Sequence, residues 1–133
     1  DYFLVESFDE LDFSKLNKML FNGLALIEMD RYEEAIKVLE KGRFMSADKK
    51  LTADFDTYIA DVYHELGNKE MMYKYYDRVL KNNPENVYVL NNYAYFLSVD
   101  GVRLEDALKM SAITIEKVNL AILNLLGIFY QFT

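Results

Sequence analysis

The chain has no cysteine and no tryptophan, and only one proline, one histidine and five glycines in 133 residues. Without cysteine there can be neither a disulfide nor a thiolate metal site, and the absence leaves cytoplasm and periplasm equally open to a soluble protein. So few turn-forming residues exclude a loop-rich β protein. The longest stretch without charge, residues 118–133, has 16 residues, short of the roughly 20 that a membrane-spanning helix needs. Positive charge is also scarce. Fifteen Lys and Arg face 22 Asp and Glu, for a net charge of −7 and a pI near 4.7. Such a chain repels phosphate backbones and points away from nucleic acid. Five of the acids (Asp1, Glu6, Asp9, Glu10 and Asp12) fall in a segment, 1–13, that has no base. The remaining 120 residues are nearly balanced. No basic region followed by an apolar one opens the sequence, and an opening Asp rather than Met is consistent with a processed precursor.

What is present is apolar and helical. Hydrophobic residues make up 52% and charged residues 28%, the balance of a folded domain, and 133 residues suffice for one core. Apolar residues recur at helical spacing almost throughout. Leu16, Met19, Leu20, Gly23, Leu26 and Ile27 form a first stripe. Asp30 and Glu33 resemble a capping box opening a second helix, which buries Ala35, Val38 and Leu39. Thr52 is placed to cap a third, with Phe55, Ile59, Val62, Tyr63 and Leu66. Gly67 ends it in the left-handed region and Asn68 caps a fourth, with Met72, Tyr73, Tyr76, Val79 and Leu80. Pro84 cannot continue a helix and pushes Asn83 towards an extended conformation, so "NNPEN" is a joint. A fifth helix carries Leu90, Tyr93, Ala94 and Leu97. Gly101 stops it, and Leu104, Ala107, Leu108, Ser111 and Ile115 mark a sixth. A seventh apolar segment follows over 119–131. No stretch alternates with period two, so the expected class is all-α, in short antiparallel pairs.

Small residues repeat. Gly23, Ala60, Ala94 and Gly127 stand 37, 34 and 33 residues apart, while Ala35 and Ala107 mark the partner helices with Met72 between them. Several family-like features accompany this period: "NGLALIEMDRYEEAIKVLEKG", then Tyr63, Gly67, Tyr76 and Pro84, then "NYAYFLSVDGVRLEDALKM", then "NLLGIFY" with Leu126, Gly127 and Tyr130. Together they resemble the tetratricopeptide repeat, two helices in about 34 residues. The family's signature tryptophan is replaced by Met19, Asp56, Leu90 and Leu123, of which Asp56 is the poorest fit. The resemblance implies an α-solenoid of three antiparallel hairpins, over about 16–49, 53–86 and 87–118, plus the terminal helix, in a single domain covering 1–133. Units this rich in Asn and Tyr are similar to those of bacterial members.

Chemistry-bearing constellations are few. Asp61 and His64, one helical turn apart, could give a metal two ligands, but neither a second His nor a Cys completes a site. That histidine has no local Ser or Thr nucleophile, and the glycines never cluster into a phosphate loop. Glu33/Glu34 and Glu105/Asp106 open helices, where the macrodipole favours acids. No enzyme, metal or cofactor is implied. Tyr63, Tyr76 and Tyr93 fall at core positions. In a repeat of this kind the odd-numbered helices line the concave groove, which the resemblance builds from Asp54, Thr57, Tyr58, Asp61, His64 and Glu65, then Tyr88, Asn91, Asn92, Tyr95 and Ser98. Family members that clamp a C-terminal carboxylate use Lys, Asn and Arg there. At those positions stand Leu20, Leu24, Tyr58, Tyr88 and Asn92, with no cation, so no clamp is expected. The expected function is a non-catalytic scaffold binding a neutral to basic peptide or protein segment. The alternatives are a unit that dimerises with its own copy through Leu125, Ile128, Phe129 and Phe132, or an accessory domain of a larger enzyme.

Overall fold

The computed structural model describes the backbone of residues 2–127 and the side chains of residues 13–127. Among the described residues there are six helices and no strand: α1 (Tyr2–Glu28), α2 (Tyr32–Met45), α3 (Lys49–Glu65), α4 (Lys69–Asn82), α5 (Val87–Asp100) and α6 (Leu104–Leu125). The all-α class read from the sequence therefore holds. The chain divides into two compact units, residues 1–82 and 83–133.

In the first unit α1 packs on α2, α2 on α3 and α3 on α4, with a smaller contact between α1 and α3. Helix α1 runs from Tyr2 through the acidic opening segment. The turn after α1 differs from the expected capping box. Asp30 takes the left-handed conformation (φ 57°); its N–H reaches Ile27 O at 2.9 Å and that of Arg31 reaches Leu26 O at 2.9 Å. That is a Schellman ending, and Asp30 fills the place usually held by glycine, one that Asp tolerates better than most residues. Arg31, whose side chain makes no cap bond, precedes α2 and is paired with Glu34. Thr52 is not the cap of α3 either. Asp48, four residues earlier, accepts from Leu51 N at 2.8 Å, and Thr52 sits inside the helix, donating to Asp48 O at 2.8 Å. The next joint is as expected: Gly67 is left-handed (φ 74°) and Asn68 accepts from Met71 N at 3.1 Å.

Small residues set how closely these helices approach. A Cβ on Gly23 would overlap the side chain of Leu39, and one on Gly42 would lie 2.5 Å from the Phe55 ring. Leu39, Phe55, Ala35, Ala60 and Met72 are all fully buried. Tyr76 is buried as expected, Tyr63 is half-buried, and Leu66 is exposed at the end of α3. Tyr75, not singled out in the sequence, is buried; its hydroxyl donates to Glu40 at 2.8 Å, its ring stacks on Tyr63 at 5.8 Å, and Arg78 lies 4.7 Å over its face. Burial and the Glu40 carboxylate push the Tyr75 phenol up to about 12. Asp56, the poor substitute for tryptophan, is only 1% exposed and bonded to the Arg43 guanidinium, while its Oδ2 accepts no hydrogen bond from the protein. Burial raises its pKa, against the hydrogen bond and charge of Arg43 and the charge of Arg78.

In the second unit the NNPEN joint is as expected: Asn83 Oδ1 accepts from Glu85 N at 3.2 Å and Asn86 caps α5 through Val89 N at 3.1 Å. Gly101 ends α5 with φ 69°. Arg103 turns the chain with φ 48° and donates to the Tyr93 hydroxyl at 2.7 Å and to Asp106 at 2.9 Å. Tyr93, Ala94 and Leu97 are buried. Of the residues that mark the sixth helix only Ala107 is buried; Leu104, Leu108 and Ile115 are exposed. The expected break near residue 118 does not occur, since α6 runs unbroken to Leu125. No glycine or proline stands between Gly101 and Gly127 to stop it. Gly127 is therefore no packing residue in mid-helix: it lies past the helix end, left-handed at φ 68°, with open space around it.

Alanine in place of glycine inside a helix usually stabilises by about 1 kcal/mol. Gly42→Ala is expected to do the reverse and cost on the order of 1–3 kcal/mol through overlap with Phe55; a urea midpoint equal to or above wild type would contradict this. Arg43→Met, which strands a buried carboxylate, should cost about 3–5 kcal/mol at neutral pH. Because burial raises the pKa of Asp56, the folded state favours its protonated form, so this penalty should shrink as pH falls into the usual carboxylate range. Adding Asp56→Asn should recover much of it, and a simple sum of two losses would show that the pair is not coupled.

Candidate functional site

The expected contact residues fall on two surfaces, one in each unit. On α3, Asp54, Thr57, Tyr58, Asp61, His64 and Glu65 follow one face by their spacing. Asp54, Thr57, Tyr58 and Asp61 are half-buried, whereas His64 and Glu65 are exposed. Thr57 spends its hydroxyl on Ala53 O, at 2.7 Å. Burial raises the Asp54 pKa, partly opposed by Lys50. His64 Nδ1 lies 3.7 Å from Glu65 Oε1.

Asp61 and Glu65 are the two that enter a cleft. With Ile27 and Glu28 from the end of α1, Asp30 from the following turn and Tyr32 at the start of α2, they line an open cleft of about 340 Å³. Four carboxylates thus line the same cleft as one phenol. Tyr32 donates to Asp30 Oδ1 at 2.9 Å. That bond, with a little burial and the negative charges of Asp30, Glu65 and Glu28, raises the pKa of Tyr32. The family resemblance puts Asp61 and Glu65 on a groove-lining face but passes over Glu28, Asp30 and Tyr32, because Asp30 also fits a helix cap. The available signal was "EMDRY", two acids and a tyrosine around a turn. Asp54, Thr57, Tyr58 and His64 do not line this cleft.

In the second unit Tyr88, Asn91 and Tyr95 are exposed and Asn92 is half-buried. Asn91, Tyr95 and Ser98 line a groove of about 330 Å³ whose other wall is Leu104, Leu108 and Ser111 of α6. The Tyr95 ring meets Phe96 edge-on at 5.3 Å, and Ser98 donates to Tyr95 O at 2.7 Å. Leu125 is exposed at the end of α6; Ile128, Phe129 and Phe132 lie outside the described residues. Among the described residues no three His, Cys, Asp or Glu side chains are grouped to hold a metal ion, and no helix is long and apolar enough to cross a membrane.

Short antiparallel helix pairs, packed through small residues and presenting polar and aromatic side chains, define a helical-repeat protein. Two family models described as tetratricopeptide repeat match the chain, one at residues 75–109 and the other at 23–42 and 59–86, together just over half of it. The chain belongs to the tetratricopeptide repeat family, whose repeats generally mediate protein–protein interaction and are typically non-catalytic. No curated protein matches it.

If the cleft is assembled as described, Tyr32 ionises above the ordinary value of 10.0. The ultraviolet titration difference between wild type and Tyr32→Phe should show this, and Asp30→Asn should move it back down. A Tyr32 that titrates like free tyrosine, indifferent to Asp30, would mean that the Asp30 bond and the neighbouring Glu65 and Glu28 charges do not act on it.

Proposed function

We propose that this protein is a non-catalytic binding module whose first unit seats a Lys or Arg side chain of a partner peptide in the acidic cleft. The observation that carries this reading is the convergence of Glu28, Asp30, Asp61 and Glu65 on one concave site. A carboxylate offers several acceptor sites, which suits a guanidinium or ammonium group. The apolar wall from Ile27 and the ring of Tyr32 suit the methylene stem of such a side chain. The half-buried α3 face of Asp54, Thr57 and Tyr58 extends the contact along the helix. Tyr88, Asn91, Asn92 and Tyr95 offer a second, separate face of rings and amides, a composition suited to backbone and side-chain recognition. Neither face pairs a nucleophile with a base, which supports a role in binding rather than catalysis. A second reading, self-association, draws on the exposed apolar residues of α6 and is independent of the cleft.

Calorimetric titration with matched basic and acidic peptides tests the proposal. Basic peptides should bind preferentially, and more weakly as salt rises. Asp61→Lys with Glu65→Lys should weaken that binding at least about tenfold and flatten the salt slope, with helicity unchanged. A wild type that prefers acidic peptides would overturn it.

A further inference from the structure

Helix α6 carries a pattern that its packing on α5 does not use. Leu104, Leu108, Ile115, Val118, Ile122 and Leu125 are all exposed, from 44% at Val118 to 87% at Leu125. With the half-buried Ser111 they recur at alternating intervals of four and three residues over the 22 residues of the helix. This is the a/d spacing of a coiled-coil seam, sustained for about three heptads and roughly 33 Å. The contact with α5 uses a neighbouring face: Ala107 is buried there and Lys117 reaches Glu85 at 2.9 Å. That ion pair aligns Lys117 with the start of α5, so the last eight residues of α6 overhang the hairpin. An apolar stripe of this length, broken only at Ser111, exceeds what a monomer ordinarily leaves in water.

We propose that the α6 seam is an interface on which a second copy of this chain packs, helix against antiparallel helix. The inference rests on the self-association reading and gives it residues. Three observations favour a second copy over an unrelated helix. The seam is nearly symmetric about Ile115, so an antiparallel copy sets Leu104 against Leu125, Leu108 against Ile122 and Ser111 against Val118, with Ile115 meeting itself, as an isologous contact requires. The flanks are small or uncharged (Ala112, Thr114, Asn119 and Ala121), and Glu105 is their one charge. Two copies of a chain with net charge −7 can therefore approach here without like charges meeting, and no charge pattern selects a different partner. The antiparallel arrangement also sets the acidic first turn, Glu105 and Asp106, beside the uncharged end of the other helix and opposes the two macrodipoles.

Because the chain has no cysteine, single introduced cysteines report the geometry directly. Leu104→Cys mixed with Leu125→Cys should form a disulfide dimer under mild oxidation, and neither variant alone should. Light scattering should give twice the chain mass for the wild type. Leu108→Glu with Ile115→Glu, both at exposed positions, should halve that mass while leaving helicity unchanged. A monomeric wild type at high concentration would overturn both self-association and the seam. A dimer indifferent to the two glutamates, and without the mixed cross-link, would overturn the seam but not self-association. Self-cross-linking of Leu125→Cys would overturn the antiparallel arrangement.

Discussion

The first unit depends on how closely its helices can approach. Gly23 gives Leu39 of α2 the volume a side chain would have filled, and Gly42 does the same for Phe55 of α3. Helix axes can then move towards the short end of the usual 8–10 Å range. With α2 packed between α1 and α3, those two also touch. This proximity brings the turn after α1, with Asp30 and Tyr32, to the C-terminal end of α3, with Asp61 and Glu65. The acidic cleft follows from the packing of two glycines that take no part in it.

Close packing also encloses groups that prefer water. Asp56 is buried with one hydrogen-bond partner, and Arg43 meets it from the neighbouring helix. Such a pair contributes little net stability compared with an apolar replacement, but losing one partner is expensive. Its effect falls on register: Arg43 and Asp56 can meet only if α2 and α3 slide to one alignment. The Tyr75–Glu40 bond sets a second constraint of this kind between α4 and α2. The second unit uses an exposed counterpart, in which Arg103 bridges Tyr93 and Asp106 across the turn between α5 and α6.

Charge and apolar surface are kept apart. The cleft gathers carboxylates around Tyr32, whereas the exposed seam of α6 carries no charge at all. One surface is suited to steering and holding a cation, the other to excluding water. The two surfaces share no residues.

The sequence by itself determined the helices, most of their ends and the family. Period 3.6 is written in the residues, and Gly67, Asn68, Asn86 and Gly101 act within a few positions of themselves, where local chemistry suffices. Local reasoning failed where two local signals competed. Asp30 can cap a helix or turn left-handed, and Asp48 outcompetes Thr52 as the acceptor for the first turn of α3. It failed again at α6, where the repeat phase implied a break that no residue enforces. Two of the cleft residues, Asp61 and Glu65, already lay on the face of α3 that the family resemblance turns towards a groove. Only the tertiary structure joined Glu28, Asp30 and Tyr32 to them, showed that Asp56 is buried against Arg43, and left Leu108 and Ile115 in water. Each of those facts depends on which face of one helix meets another, and spacing along a single chain does not carry that information.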